Sequence, residues 1–157
     1  VVIPRGLLDK LMGRPALFGA DAAARRRIEL AAMKAVMDIE KSLGFAPADV
    51  SAQNKGYDIE SKIPAELRDA DGTTLRFIEV KGRAKGAISV TVTKNEILTA
   101  LNEPEQFILA IVEVDGETTH TVYLKKPFHK QPDFAATSVN YDIMDLVGGA
   151  EIVYECR

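Results

Sequence analysis

The sequence holds one cysteine, Cys156, two histidines, His120 and His129, and no long apolar run. A lone cysteine excludes an intramolecular disulfide and fits a reducing, intracellular compartment. No stretch approaches the ~20 apolar residues that span a bilayer. The opening Val1-Val2-Ile3-Pro4-Arg5 lacks the basic-then-apolar plan of a signal peptide, so no membrane is expected. Both histidines fall in a polar hairpin region, no Cys/His pair has zinc spacing, and there is no Walker loop. Basic residues are not in excess either. A net charge of −3 disfavours a broad nucleic-acid-binding face and leaves room only for a local one. An initiator methionine is also missing, which points to a piece of a longer protein.

What remains is the composition of an ordinary globular domain, with 46% hydrophobic and 27% charged residues in a 157-residue chain sized for one core. Residues 1–20 read as a linker or docking arm. Leu7, Leu8, Leu11 and Met12 have helical spacing there, but glycines and Pro15 interrupt them. Residues 21–157 read as a single domain. A helix is expected from about Ala22 to Leu43, with Asp21 as N-cap and Gly44 as stop. Ile28, Ala32, Ala35, Val36, Ile39 and Leu43 make its core stripe. Glu29 and Glu40, eleven residues apart, flank that stripe on one side. Each is either a solvated boundary residue or a group looking into a site. Arg25-Arg26-Arg27 is either a solvated face or a phosphate contact.

The stretch from Gly56 to Arg83 carries the chemistry. Gly56-Tyr57-Asp58-Ile59-Glu60-Ser61 and Arg76-Phe77-Ile78-Glu79-Val80-Lys81-Gly82-Arg83 read as two paired strands. Asp69, Asp71 and Gly72 mark the connection between them. Alternation puts Phe77, Glu79 and Lys81 on one face and Ile78, Val80 and Gly82 on the other. Asp58 on the adjoining strand could meet Glu79. Ile-Glu-Val-Lys is too apolar for an edge strand whose charges merely face water, and a polar pair on a buried strand needs partners.

A short strand over 46–51 precedes this pair, and Ala87–Val92 is a third alternating strand after it. Thr93-Lys94-Asn95-Glu96 is a capping box for a helix ending near Asn102. The apolar run from Gln106 to Val114 is a strand buried on both faces. Thr119–Leu124 is its hairpin partner, and Lys125-Lys126 opens a basic loop. A short helix is expected over Tyr141–Val147, followed by a strand at Ile152-Val153-Tyr154. A meander and a crossover helix together imply an α/β fold, a mixed central sheet flanked by helices.

A helix, Gly-Tyr-Asp, Ile-Glu-Val-Lys, and a helix crossing to an apolar strand together resemble the PD-(D/E)XK nuclease superfamily. More narrowly, Gly-Tyr-Asp-Ile-Glu-Ser, Ile-Glu-Val-Lys-Gly-Arg and Thr-Lys-Asn-Glu resemble the protein NO VEIN C-terminal domain family over roughly Ile28 to Val114. That resemblance implies a restriction-endonuclease-like core, with Tyr57 where the superfamily's proline commonly stands. It implies that Asp58, Glu79 and the Val80 carbonyl bind Mg²⁺ or Mn²⁺ and that Lys81 is catalytic. A helical glutamate completes such sites, Glu29 or, failing it, Glu40. Arg83, Lys85, Lys94 and Asn95 would contact nucleic acid, DNA above all, aided by the Lys125-Lys126 loop, and Asn95 and Glu96 would border the site, although capping alone explains Glu96. The family is often appended to helicase-like or other ATPase modules, some in bacterial defence.

Three readings follow. The domain is a Mg²⁺-dependent endonuclease or exonuclease. Alternatively it is a non-catalytic nucleic-acid-binding or protein-interaction module with the nuclease fold. In the third, its charged trio is only a buried ion network. Lys81 as a compact point charge suits the first, and the acidic net charge suits the other two.

Overall fold

The computed structural model describes residues 17–157, and the proposed 1–20 arm lies largely outside them. The first helix, α1, spans Leu17–Ser42. Asp21 therefore lies inside it and is not its cap, because the run of alanines and arginines extends the helical pattern towards the N-terminus. Gly44 follows the last turn, as expected.

The strands are β1 (Ala46–Asp49), β2 (Ile59–Lys62), β3 (Leu75–Ala84), β4 (Ser89–Thr93), β5 (Phe107–Asp115), β6 (Thr118–Lys125), β7 (Ser138–Asp142) and β8 (Glu151–Cys156). Helices α2 (Lys94–Asn102) and α3 (Ile143–Gly149) complete the α-helices among the described residues, beside two 3-10 turns at Ser51–Gln53 and Ala65–Leu67. Among the described residues no helix is long and apolar enough to cross a membrane. The main sheet runs β1-β2-β3-β5-β6-β8 and is antiparallel except for the β3–β5 pair. The fold is thus mixed α/β with a mostly antiparallel central sheet.

Two expectations are corrected. The Ala87–Val92 strand does not extend the main sheet. As β4 it pairs with β7 in a separate two-stranded sheet, and the β4–α2 segment is the crossover that makes β3 and β5 parallel. Tyr141 belongs to β7 and not to the following helix. Val139 and Tyr141 alternate inward there, and Asp142 caps α3 by accepting the Asp145 N–H at 3.0 Å.

The sheet separates two apolar layers. Ala32 and Val36 of α1 pack on Ile59, Ile78, Ile108, Ala110, Val112 and Tyr123. The opposite face buries Phe107, Leu109, Ile111 and Leu124 under Val90, Val92, Ile97 and Leu146. Where α1 crosses β3, Gly82 leaves no room for a side chain. A Cβ there would stand 2.8 Å from the Ala32 Cβ and 3.0 Å from the Ile28 carbonyl oxygen. Gly82→Ala should therefore push helix from sheet and cost about 1–3 kcal/mol in denaturant unfolding. A loss under a few tenths would show that the contact yields freely.

Candidate active site

The site is built on the middle of β3. The β2–β3 register pairs Ile59 with Ile78, and Asp58 stands one residue before β2, beside the middle of β3. The Asp58 N–H donates to the Ile78 carbonyl at 2.9 Å, and its carboxylate accepts the Val80 N–H at 3.0 Å. Its side chain thus replaces the backbone partner that β2, having ended, no longer supplies. A strand residue's N–H and C=O point to the same edge, so the Val80 carbonyl faces this side too. Gly56 holds the approach to Asp58. Its φ is +84°, and a Cβ there would lie 2.3 Å from the Thr99 hydroxyl of α2, so only glycine seats this loop on the helix.

Glu79 and Lys81 point to the face opposite α1, into the layer that contains Leu109 and Ile111. Glu79 is 4% exposed. Lys81 Nζ lies 2.8 Å from a Glu79 oxygen and 2.8 Å from Glu96 Oε2. Burial pushes the Glu79 carboxyl up to about 9, with the Lys81 charge opposing and the Asp58 and Glu96 charges reinforcing the shift. Burial also raises Asp58, against the pull of the Val80 N–H and of Lys81. Burial alone would lower Lys81, but the Glu79 and Glu96 carboxylates outweigh it and hold its ammonium above the usual range.

These shifts give metal-free stability a definite pH dependence. A carboxyl raised in the folded state favours folding fully below its unfolded value and loses that contribution as pH climbs to the folded value. Stability should therefore fall between roughly pH 4.5 and pH 9, at no more than ~1.4 kcal/mol per pH unit for Glu79. Urea unfolding across that range should show the slope, and Glu79→Gln should flatten it. An equal slope in the variant would place the titration elsewhere.

Asp58, Val80, Lys81, Gly82 and Arg83 line a cleft of about 370 Å³, walled by Arg26, Glu29 and Leu30 of α1 and by Thr91 of β4. Glu29 is exposed and lies 3.7 Å from Arg26. Glu40 is not in the cleft. It is fully buried further along α1, 3.3 Å from Arg76. Arg83 enters the cleft with a buried Nε that has no hydrogen-bond partner among the described residues. The other expected nucleic-acid contacts stand outside it. Lys85 pairs with Asp115 at 3.1 Å, and Lys94 donates to the Phe134 carbonyl at 2.9 Å. Asn95 is exposed at the start of α2. Lys125 and Lys126 both bind Glu105, at 3.0 and 2.8 Å.

Glu96, read from the sequence as a cap that borders the site, is both. Its role as the N3 member of the capping box is real, since Oε2 accepts the Thr93 N–H at 2.9 Å. The same oxygen also takes Lys81. A capping box that follows the Glu-x-Lys strand by one short strand in the sequence was the available signal.

Among the described residues no three His, Cys, Asp or Glu side chains form a ready-made metal cage. Asp58, Glu79 and the Val80 carbonyl are nevertheless a set of hard oxygens that suits Mg²⁺, which binds through one or two carboxylates and otherwise keeps water or phosphate.

Comparison with curated proteins and with solved structures gave no match. The family described as Protein NO VEIN, C-terminal, matches residues 28–124, more than half of the chain. Asp58, Glu79, Lys81 and Glu96, with the strands and capped helix that bring them together, all fall inside that span, and the chain belongs to this family.

Proposed function

We propose that this domain hydrolyses nucleic-acid phosphodiesters, DNA first among them, with Mg²⁺ or Mn²⁺ as cofactor. On this reading it is a PD-(D/E)XK nuclease-like domain with a restriction-endonuclease-like core, working within a larger helicase-like or other ATPase-bearing DNA-processing or defence protein. The observation that supports the proposal is that Asp58, bound to the Val80 N–H at 3.0 Å, and Lys81, paired with the buried Glu79 at 2.8 Å, line one cleft.

A divalent cation bound by Asp58, Glu79 and the Val80 carbonyl would polarise the scissile phosphate and lower the pKa of a bound water. Lys81 supplies a positive charge that orients the attacking water or offsets charge growing on the phosphate oxygens. Glu96 keeps that ammonium charged and aimed. Arg26 and Arg83 offer guanidinium groups to the flanking phosphates. Glu29, on the α1 wall, is the helical acid within reach of the cleft.

A metal titration tests this without a substrate. A cation that binds only the folded state at ten times its Kd adds about 1.4 kcal/mol. For a domain of this size that raises Tm by about 3–6 °C. Mn²⁺ should act at lower concentration than Mg²⁺, and Asp58→Asn should cancel the shift. A second reading, a non-catalytic binding or interaction module, is favoured by one observation. Lys81 is already paired on both sides at 2.8 Å. A flat Mg²⁺ and Mn²⁺ titration together with a destabilised Glu79→Gln variant would decide for that reading.

A further inference from the structure

A second, larger hollow of about 480 Å³ adjoins the cleft, and Arg83 lines both. Its walls are apolar, formed by Ile88, Ile111, Val122, Met144, Val147 and Ile152. Ile88 and Met144 are each 76% exposed at its mouth, an unusual concentration of exposed apolar surface for a region without a function. The few polar groups at its edge are mostly acidic. Glu113 accepts the Gly86 N–H at 3.4 Å, Glu155 holds His120 at 3.1 Å, and Asp142 caps α3. Carboxylates exclude a phosphate from the hollow. They still have lone pairs for the exocyclic amine of a neutral ring, the contact that Asp and Glu make with cytosine.

We infer that the hollow receives an unpaired nucleobase next to the phosphate held at Arg83, so that the substrate is single-stranded or splayed open at the point of cleavage. The geometry divides one nucleotide in two. The anionic part meets Arg83, Arg26 and Lys81 in the cleft, and the flat apolar part enters the hollow across Arg83. A stacked duplex keeps its bases inside and cannot offer one to a pocket without paying to unstack it, whereas a single strand can. The volume lies in the range of small-ligand pockets. The inference rests on the hydrolytic reading for the position of the phosphate but is tested by binding alone.

The test uses the 157-residue chain in EDTA, so that no cleavage occurs. Affinities are measured by fluorescence anisotropy for a labelled hexadeoxycytidylate, the equivalent RNA hexamer, a hexamer of identical backbone with every base removed, and the hexadeoxycytidylate paired to its complement within a hairpin. The base-free and paired ligands should bind roughly tenfold more weakly than either single strand, the range expected for one sequestered base. Ile88→Ser/Met144→Ser, which alters only exposed side chains, should erase the difference between normal and base-free strands while leaving the base-free affinity unchanged. Arg83→Ala should weaken both. Equal binding of normal and base-free strands, or an undiminished difference in the double variant, would overturn the inference. Cleavage measured separately keeps the two proposals apart. Base-dependent binding without any cleavage sinks the nuclease reading and leaves the hollow, and cleavage without base dependence does the reverse.

Discussion

Arg76→Ala should destabilise the domain by about 3–5 kcal/mol, because it strands a carboxylate in the core. Glu40 is fully buried, and Arg76, 3.3 Å away, supplies the opposite charge. The guanidinium also lies over the rings of Phe45 and Tyr123, at 5.0 and 5.5 Å, so the truncation removes packing as well as charge. Burial, and next the Glu40 charge, push the Tyr123 hydroxyl upward, so it stays neutral and supplies no charge to balance the glutamate in place of Arg76. For a domain of this size the loss amounts to roughly 10 °C or more in Tm. Replacing both partners together, Glu40→Leu with Arg76→Met, should recover most of it, since a buried pair is often no better than an apolar one of similar volume. Guanidinium unfolding of the three proteins measures both effects. A single-variant cost below 1 kcal/mol would mean that water reaches Glu40.

Glu79→Ala and Lys81→Ala should each lower Mg²⁺-dependent cleavage by at least ~10²-fold, the scale of losing one preorganised electrostatic group in a dry site. Glu79 acts from beneath the cleft and Lys81 at its surface, so the two variants remove a metal ligand and a positive charge respectively. Their losses should not add, because both act on one phosphate. Circular dichroism and Tm must show that each variant is folded. Undiminished cleavage by both would assign the activity to another site or to a contaminant.

The trio of Asp58, Glu79 and Lys81 was legible because two rules of strand geometry suffice for it. Alternation put Glu79 and Lys81 on one face, and the pairing of β2 with β3 brought Asp58, just outside β2, to the Val80 N–H. Family membership was legible from the longer strings around those residues. Other features depended on contacts that periodicity does not encode. Glu29 and Glu40 occupy equivalent angular positions on α1, yet one meets solvent at the cleft and the other meets Arg76. Helical spacing places a side chain on a face and says nothing of what the sheet offers at that height. The lysines proposed for the nucleic-acid backbone were chosen by charge alone. Lys85, Lys125 and Lys126 turned out to have acidic partners distant in sequence, as Asp115 and Glu105 are. Tyr141 stands at the start of the expected helix, and only the pairing with β4 makes it a strand residue.

One oxygen of Glu96 holds two donors, the Thr93 N–H that begins α2 and the ammonium of Lys81. The first turn of that helix and the posture of the lysine are therefore a single cooperative unit. Fraying the turn releases Lys81 from one of its two anchors, and loss of the lysine leaves a capping glutamate with half its ligands. The charged strand cannot be transplanted alone. Any scaffold meant to borrow this chemistry must carry over the start of a helix with it.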